Sequence, residues 1–307
     1  MCVYREAVSR SDPFMPQDRT LLCSSSMIDL TQISRNLEQT AEGDWRCKSL
    51  STVSYPEWGN QACFAVEDSS FWFRHRNACI LEAVRQYPPA GPLFDVGGGN
   101  GFVAKAMQDA GLEVVLVEPG AAGTVNARRR GVQHVVRATL EDAGFLPGTL
   151  PAIGLFDVVE HIEGDHRFLE AIRTYLSSQG RIYLTVPAYQ ALWSRADVVA
   201  GHYRRYSKRP LRELLEKAGL EVEFTTGFFQ FLPPAILAMR VIPYRLGWKT
   251  LSKVKGGDTK IFRQHKIKSE LIVRILNWIQ QREVAGIRER RENAFGASWL
   301  VVARSVQ

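Results

Sequence analysis

The stretch between residues 93 and 187 alternates short apolar runs with segments of helical periodicity, and this alternation limits the possible folds more than any other feature. The apolar run "PLFDV" is followed by the helix-like "FVAKAMQDAG" and then by a second apolar run, "EVVLVEP". The same rhythm continues through "AIGLFDVV" and "RIYLTVPA". Strands that alternate with helices predict an α/β fold with a mostly parallel sheet and helices on both faces.

The loop "GGGNG" follows the first predicted strand and leaves the backbone bare at the carboxyl edge of the sheet, where such folds bind ligands. Its glycines, Gly97, Gly99 and Gly101, have the spacing GxGxG. A dinucleotide fingerprint would need a third glycine where Phe102 stands, and a phosphate-binding P-loop would need a Lys and a Ser or Thr. The ligand is therefore predicted to be neither a dinucleotide nor a nucleoside triphosphate.

Two acidic residues flank this loop and indicate what it binds. Asp95, at the end of the first strand, would repel a pyrophosphate but attract a cationic group. Glu118 ends the second strand, 17 residues after Gly101, close to the offset of about 20 residues at which an acid accepts hydrogen bonds from ribose hydroxyls. An adenosyl ligand with a sulfonium and an ammonium group fits both acids. The alternative is a tight turn between strand and helix that binds nothing.

The segments "FDVGGGNG", "VVLVEPG", "LEDAGF", "FDVVEHIEGD" and "RIYLTVPA", in this order, resemble the motif series of class I S-adenosylmethionine-dependent methyltransferases. The resemblance covers about residues 67–304. It implies a Rossmann-like, seven-stranded sheet with an antiparallel last strand, and S-adenosylmethionine as the cofactor. "FWFRHRN" and "GHYRRYS" are similar to a bacterial subgroup that is often encoded with, or fused to, glycosyltransferases.

The resemblance also implies which residues bind the cofactor. The aspartate and glycines of the loop would line its methionine end, Glu118 would hold the ribose, and Leu140 with Glu141 would flank the adenine. An arginine of "FWFRHRN", Arg74 or Arg76, would pair with the cofactor carboxylate, since Arg binds carboxylates in a bidentate manner. The assigned set is Arg74, Asp95, Gly97, Gly99, Gly101, Glu118, Leu140, Glu141, Phe156 and Asp157.

Methyl transfer to an oxygen requires alignment of the reactants and a base that removes a proton. We expect this base to be His202, in the polar loop after the fifth strand, although His202 and Tyr206 could instead only tie that loop to the sheet. His161 and Asp157, after the fourth strand, complete the predicted catalytic set, with His161 orienting its loop. Asp157, Glu160 and His161 could form a partial divalent-metal site, as in some quinone-ring O-methyltransferases; our interpretation is that no metal is bound.

Missing motifs narrow the methyl acceptor. The fourth strand ends in "FDVV", without the Asp-Pro-Pro-aromatic turn of base methyltransferases, and the last of the five cysteines is Cys79, which excludes a covalent cytosine mechanism. The prediction is a hydroxyl of a small-molecule, lipid-linked or glycan-linked acceptor. Two alternatives stay open, an RNA methyltransferase and a non-catalytic, cofactor-binding partner subunit.

The positive charge is concentrated late in the chain. Residues 240–291 contain 14 Lys and Arg against 4 Asp and Glu, so the rest of the chain carries −3 of the total of +7. This segment could be a core-facing helix with a solvated basic face, or it could contact an anionic membrane or RNA. Because large apolar residues accompany the charge, we favour the membrane over RNA.

Composition and the family resemblance together predict three regions. Residues 1–55 are polar and predict a loosely ordered extension, the resemblance implies a methyltransferase domain over residues 56–307, and we expect a basic helical insertion within it at about 230–293. No secretory signal or membrane-spanning run is visible. We therefore expect a cytoplasmic protein with peripheral contact to the inner membrane face.

Overall fold

The fold was analysed in a computed structural model, which describes residues 28–41, 43–48, 57–247 and 270–306. Nine strands form one sheet in the order β1-β2-β5-β4-β3-β6-β7-β9-β8 within these residues. The strands are β1 (Leu37–Gln39), β2 (Trp45–Cys47), β3 (Leu93–Val96), β4 (Val114–Val117), β5 (His134–Arg137), β6 (Leu150–Phe156), β7 (Leu176–Pro187), β8 (Leu220–Phe228) and β9 (Ser298–Ser305).

The central strands pair in parallel, and β9 runs antiparallel between β7 and β8. The predicted parallel α/β sheet with an antiparallel last strand is thus confirmed. The number of strands is wrong, since the structure has nine where seven were expected.

The two additional strands, β1 and β2, lie in the N-terminal extension. They form an antiparallel pair, and β2 adds to β5 in parallel. Leu30 is fully buried beside this pair, and Trp45 and Cys47 are buried within β2. Strands β1 and β2 are therefore ordered parts of the sheet, whereas residues 1–27, 42 and 49–55 of the predicted loosely ordered extension lie outside the described residues. Strands of three residues are too short to show an alternation of apolar and polar positions.

The helices occupy both faces of the sheet. They are α1 (Glu57–Glu67), α2 (Phe71–Gln86), α3 (Phe102–Asp109), α4 (Ala121–Arg129), α5 (Leu140–Ala143), α6 (Asp165–Tyr175), α7 (Arg195–Ala200), α8 (Lys208–Lys217), α9 (Leu232–Ile236), α10 (Ile242–Arg245) and α11 (Glu270–Arg288).

Side chains of the strands alternate between two hydrophobic clusters, one on each face. In β4, Val115 and Val117 face the cluster under α5, α6 and α8, whereas Val114 and Leu116 face the cluster under α2 and α3. Asp95 occupies the position in β3 that faces the second cluster, because its neighbours Phe94 and Val96 belong to the first. The acid of the predicted site therefore lies on the α2 side of the sheet.

The basic insertion is helical where it is described. A π-helical turn, Leu237–Val241, joins α9 to α10, and α11 packs along α2. A buried pair fixes this packing: Glu283 lies 2.6 Å from His75 Nε2 and accepts the backbone N–H groups of Phe229 and Gln230. Residues 248–269 lie outside the described part, so the prediction for the whole basic segment is only partly covered. Among the described residues, no helix has both the length and the apolar character needed to cross a membrane.

Candidate active site

The glycine loop between β3 and α3 forms a bare cradle at the carboxyl edge of the sheet. Gly97, Gly99 and Gly101 all have positive φ, at 69°, 54° and 71°, where residues with a Cβ are strained. A Cβ at Gly101 would lie 2.8 Å from Val132 Cγ2, whereas a Cβ at Gly99 would meet only Asn60 Oδ1, at 3.7 Å. Gly101 is therefore required by packing, and Gly99 faces open space that a ligand can fill.

Asp95 lies beneath this cradle and is 1% exposed. Neither carboxylate oxygen accepts a hydrogen bond of normal geometry from a described residue, although the backbone N–H of Ala104 is close enough to act on it. Burial raises the pKa of Asp95 to about 7, against the opposing charge of Arg76 and with a further increase from Glu118. A buried carboxyl without good partners is the kind of group that a cationic ligand would satisfy.

Glu118, at the end of β4, closes the other side of the cradle. Its two oxygens accept the backbone N–H groups of Gly99, at 2.9 Å, and Gly120, at 2.7 Å. Burial raises the pKa of Glu118, and these two hydrogen bonds lower it only in part. The carboxylate is thus fixed against the glycine loop, at the place where the sequence predicts the ribose.

Buried Arg76 and half-buried Asp157 form an ion pair at the end of β6. Arg76 Nε lies 2.6 Å from Asp157 Oδ2, and Arg76 Nη2 donates to the carbonyl of Phe156 at 2.8 Å. Arg74 is exposed, because it lies two positions earlier on α2 and so projects from another face of the helix. The assignment of Arg74 to the site is therefore wrong, and Arg76 is the arginine of "FWFRHRN" that reaches it.

The backbone is strained at the carboxyl ends of three strands. Asp157 after β6, Tyr189 after β7 and Phe229 after β8 have φ values of 59°, 56° and 58°. Non-glycine residues adopt this region at an energetic cost of the order of 1 kcal/mol, and such residues cluster at functional sites. The strain therefore marks the same edge of the sheet as the glycine cradle.

His202 is held by a buried carboxylate in the loop after β7. Its Nδ1 lies 3.0 Å from Asp197 Oδ1, and the same carboxylate accepts Arg205 Nε at 2.7 Å and the Ser194 backbone N–H at 2.9 Å. Burial acts to raise the pKa of Asp197, but the hydrogen bond from His202 and the charge of Arg205 lower it to about 2. Asp197 is thus a carboxylate acceptor, which assigns the proton to Nδ1 and leaves Nε2 of His202 unprotonated in the neutral ring.

His161 lies against His202, with ring centroids 4.8 Å apart and the rings nearly perpendicular. Its ring hydrogen-bonds to the backbone of Gly201, and burial and then His202 lower its pKa. Glu160 is 1% exposed, and burial followed by the charge of Asp157 raises its pKa well above the ordinary value. Donor atoms of Glu160, His161 and His202 lie within 4.8 Å of one another, so this set could hold a divalent ion. Asp157, which the sequence placed in such a set, is instead paired with Arg76.

Residues 72–224, about half of the chain, match the model of a methyltransferase domain family. These residues form a methyltransferase domain. Its cofactor is S-adenosylmethionine, as the glycine loop and its two acids predicted.

Relatives of the methyltransferase domain agree with this family. A protein of Mycolicibacterium smegmatis, named a probable S-adenosylmethionine-dependent methyltransferase, is 23% identical over 177 residues, which are 57% of this chain and 68% of that protein. A candidate methyltransferase solved with the Haloferax volcanii Trm112 activator shares the fold with a TM-score of 0.53 and 15% identity, over 83% of this chain and 98% of that one. A Haemonchus contortus phosphoethanolamine N-methyltransferase has a TM-score of 0.50 and 16% identity, over 83% of this chain and 58% of that one.

The remaining predicted residues of the methyltransferase domain take different positions. Phe156 is buried at the end of β6, and its carbonyl accepts a hydrogen bond from Arg76. Leu140 is buried in the hydrophobic cluster under α5 and α6, and Glu141 is exposed. These two side chains therefore stay a prediction for the adenine side, whereas Asp95, Glu118, Arg76 and Asp157 form the polar lining next to the cradle.

Two residues that the sequence reasoning missed support the loop that carries His202. Asp197 holds His202, and Arg205 binds Asp197 and the carbonyl of Ala188. A signal for Asp197 was present, since Ser194 and Asp197 have the spacing of a capping box, in which each side chain bonds the other residue's backbone. Tyr206 does tie this loop to the sheet, because its backbone pairs with Pro187 and Tyr189.

Proposed function

We propose that the protein transfers a methyl group from S-adenosylmethionine to a hydroxyl of a small-molecule, lipid-linked or glycan-linked acceptor, with His202 as the general base. The observation that carries this proposal is the pair formed by His202 and buried Asp197, which leaves the second ring nitrogen of His202 free beside His161. An acceptor oxygen would lie next to that nitrogen.

The cradle fits the cofactor on three counts. Gly99 offers open space, Asp95 offers a buried carboxyl without good partners, and Glu118 is fixed at the end of β4. The sulfonium supplies an activated methyl group whose leaving group loses its positive charge on transfer. The protein's own task is therefore to align the acceptor and to remove one proton.

His202 would take the acceptor proton on Nε2, and Asp197 would stabilise the imidazolium that results. This role requires Asp197 to be ionised, and its pKa of about 2 ensures this at any physiological pH. A carboxylate that orients a histidine through Nδ1 and stabilises its charged form is a recurring feature of histidine bases. His161, packed against the same ring, would restrict its rotation.

Arg76 would orient the cofactor end of the site. Its ion pair with Asp157 and its bond to the Phe156 carbonyl fix the end of β6, and its charge lowers the pKa of Asp95 against the effect of burial. The guanidinium of Arg76 would thus connect Asp95, below the cradle, with the end of β6, which is predicted to face the methyl group.

If the acceptor is lipid-linked, the protein would act at a membrane surface facing the cytoplasm. This part of the proposal is supported by exposed apolar side chains along the π turn and α10, including Leu237, Met239 and Leu246, and by the basic charge of residues 240–291. Apolar and basic residues together are typical of interfacial segments.

Calorimetry with S-adenosylmethionine tests the cofactor half of the proposal. Gly99→Ala should weaken binding severely, because the new methyl fills the cradle and makes only an ordinary van der Waals contact with Asn60. Gly111→Ala is a matched control: Gly111 also has a positive φ, at 84°, and a Cβ there meets nothing within 4 Å. Equal affinities in the two variants, or no heat with folded wild-type protein, would refute the assignment of the cradle.

Mass spectrometry of a cell extract incubated with isotope-labelled cofactor tests the transfer itself. The expected product carries the label on an oxygen, and an extract supplemented with His202→Gln protein should lack it. A label on nitrogen or on RNA would contradict the proposed acceptor class, and no label together with normal cofactor binding would favour a non-catalytic subunit.

A further inference from the structure

Arg240 lies in the π-helical turn Leu237–Val241, between α9 and α10. Single π turns are rare and occur frequently at functional sites. The neighbours of Arg240 are strongly exposed, with Leu237 at 43% and Met239 at 73%, whereas Arg240 is half-buried and Val241 is buried. The turn therefore presents apolar side chains outward and directs one cation toward the protein.

The inner side of this turn covers the loop that carries His202. The turn packs against α7, and Arg245 of α10 donates to the carbonyl of Ala191 at 3.2 Å. Asp197 and Arg205 are both close enough to Arg240 for their charges to act on it. Arg240 is thus placed at the predicted acceptor side of the site, next to the carboxylate that holds His202.

Arg240 has no anion of its own in this position. Asp197 is already used by His202, Arg205 and Ser194, and Arg240 makes no hydrogen bond or ion pair with a described residue. Burial and then the charge of Arg205 lower the pKa of Arg240, while Asp197 opposes them. A half-buried guanidinium without an ion-pair partner is unfavourable, so a bound anion would complete this environment.

We propose that Arg240 binds a phosphate group of the methyl acceptor and so selects phosphate-bearing substrates. A guanidinium offers two parallel N–H donors that match phosphate oxygens. Two neighbouring arginines share the single negative charge of Asp197, which leaves a positive charge for a phosphate to neutralise. This inference rests on the proposed function, because it assigns the acceptor side of that same site.

The phosphate could belong to a water-soluble metabolite or to a lipid headgroup. The exposed side chains of Leu237 and Met239, directly beside Arg240 in sequence, would contact the apolar chain of a lipid but not a soluble phosphate. These side chains therefore allow the two sources to be separated experimentally.

The test measures thermal unfolding of the full-length protein loaded with S-adenosylhomocysteine and titrated with inorganic phosphate and pyrophosphate at constant ionic strength. We expect a saturable increase in Tm for the wild type, because a ligand of the native state stabilises it. Arg240→Gln should lose this increase. Arg209→Gln, which removes a 90% exposed arginine of α8, should keep it.

The proposal is overturned if Arg240→Gln retains the full increase in Tm, or if the wild type shows none. Calorimetry with S-adenosylmethionine on the same variants separates this failure from that of the proposed function, since Arg240→Gln should bind the cofactor as tightly as the wild type. Loss of cofactor binding in the wild type would refute the proposed function itself.

A second arm identifies the source by comparing inorganic phosphate with dihexanoyl phosphatidic acid below its critical micelle concentration. If the acceptor is lipid-linked, Met239→Ser should weaken the response to the lipid and leave the response to inorganic phosphate unchanged. If the acceptor is water-soluble, Met239→Ser should match the wild type in both titrations.

Discussion

Asp95 in the cofactor cradle and Asp197 in the acceptor loop are equally buried, each 1% exposed, yet their pKa values move in opposite directions. The pKa of Asp95 is raised to about 7, and that of Asp197 is lowered to about 2. Asp197 accepts hydrogen bonds from an arginine, a histidine and a backbone amide, whereas Asp95 has no well-formed bond from a described residue. Burial raises the pKa of both carboxyls, and only in Asp197 do the hydrogen bond from His202 and the charge of Arg205 outweigh that effect.

This difference suits two different roles. Asp95 is suited to bind a ligand, whereas Asp197 is suited to position a side chain. The protein already satisfies Asp197, so this residue fixes the ring of His202. Under the proposed function, Asp95 would gain its partner when a cationic group binds in the cradle. Four predictions test this division, from the largest expected effect to the smallest.

Replacement of His202 by Gln should give the largest effect. Removal of a general base costs about 10²- to 10⁴-fold in rate, and kcat should fall by this factor while the affinity for S-adenosylmethionine stays the same. Methylation assays and calorimetry on one preparation measure both. His166→Gln, at a half-buried histidine of α6 outside the predicted site, is the control. A fall in cofactor affinity equal to the fall in kcat would mean that His202 contributes to cofactor binding. The proposed separation between a cofactor side and an acceptor side would then be wrong.

Replacement of Asp95 by Asn should weaken cofactor binding with little change in folding. A hydrogen bond to a charged group contributes about 1.5–3 kcal/mol, so the affinity at pH 8 should fall by about 10- to 150-fold. Calorimetry measures the affinity, and Asp109→Asn, in a half-exposed residue of α3, is the control. An unchanged affinity would mean that Asp95 contacts no cationic group.

Replacement of Asp197 by Asn should instead lower stability. The pKa of this group falls from its ordinary 3.8 to about 2 on folding, which corresponds to about 2 kcal/mol in favour of the native state. Because the folded pKa is depressed, this contribution is present above about pH 4 and disappears as the pH falls to 2. Urea unfolding should show a free energy of unfolding that is clearly lower in the variant than in the wild type at pH 7. At pH 2.5 the difference between the two proteins should be small. Equal differences at both pH values would argue against an ionic role.

The cofactor affinity of the wild type should increase with pH. Asp95 is protonated below about pH 7 in the free protein, and a cationic ligand favours its ionised form, so the affinity should rise by up to about tenfold per pH unit below 7. Calorimetry between pH 5.5 and 8 should show this slope in the wild type and a flat profile in Asp95→Asn. A slope that persists in Asp95→Asn would assign the titration to Glu118, whose pKa is also raised by burial.

The cofactor side could be predicted from the sequence because each of its groups directly follows a strand. Asp95, the glycine loop and Glu118 stand at the ends of β3 and β4, and parallel strands bring their carboxyl ends to one edge. The apolar alternation of those strands fixes which face each residue occupies. Short contiguous motifs were therefore enough to predict most residues of the cofactor side.

The acceptor side could not be predicted in this way because it depends on contacts between distant segments. On the cofactor side, the choice between Arg74 and Arg76 is an exception of the same kind, because it rests on the rotation of α2 against β6, which the pattern of one helix does not fix. The position of Arg240 within range of the charge of Asp197 depends on how the π turn packs against α7. The catalytic role of His202 stays a prediction, and the capping-box spacing of Ser194 and Asp197 did not by itself indicate that Asp197 holds His202.

The hairpin of β1 and β2 has a consequence for how copies of this protein meet one another. Without it, β5 would present a row of free backbone donors and acceptors along one side of a seven-stranded sheet, which is a template for pairing with another chain. β2 occupies that row, and the outermost strand becomes β1, which is only three residues long. In the described part of the chain, so short a border offers few backbone bonds to a second copy, and we expect it to disfavour edge-to-edge pairing of the sheet.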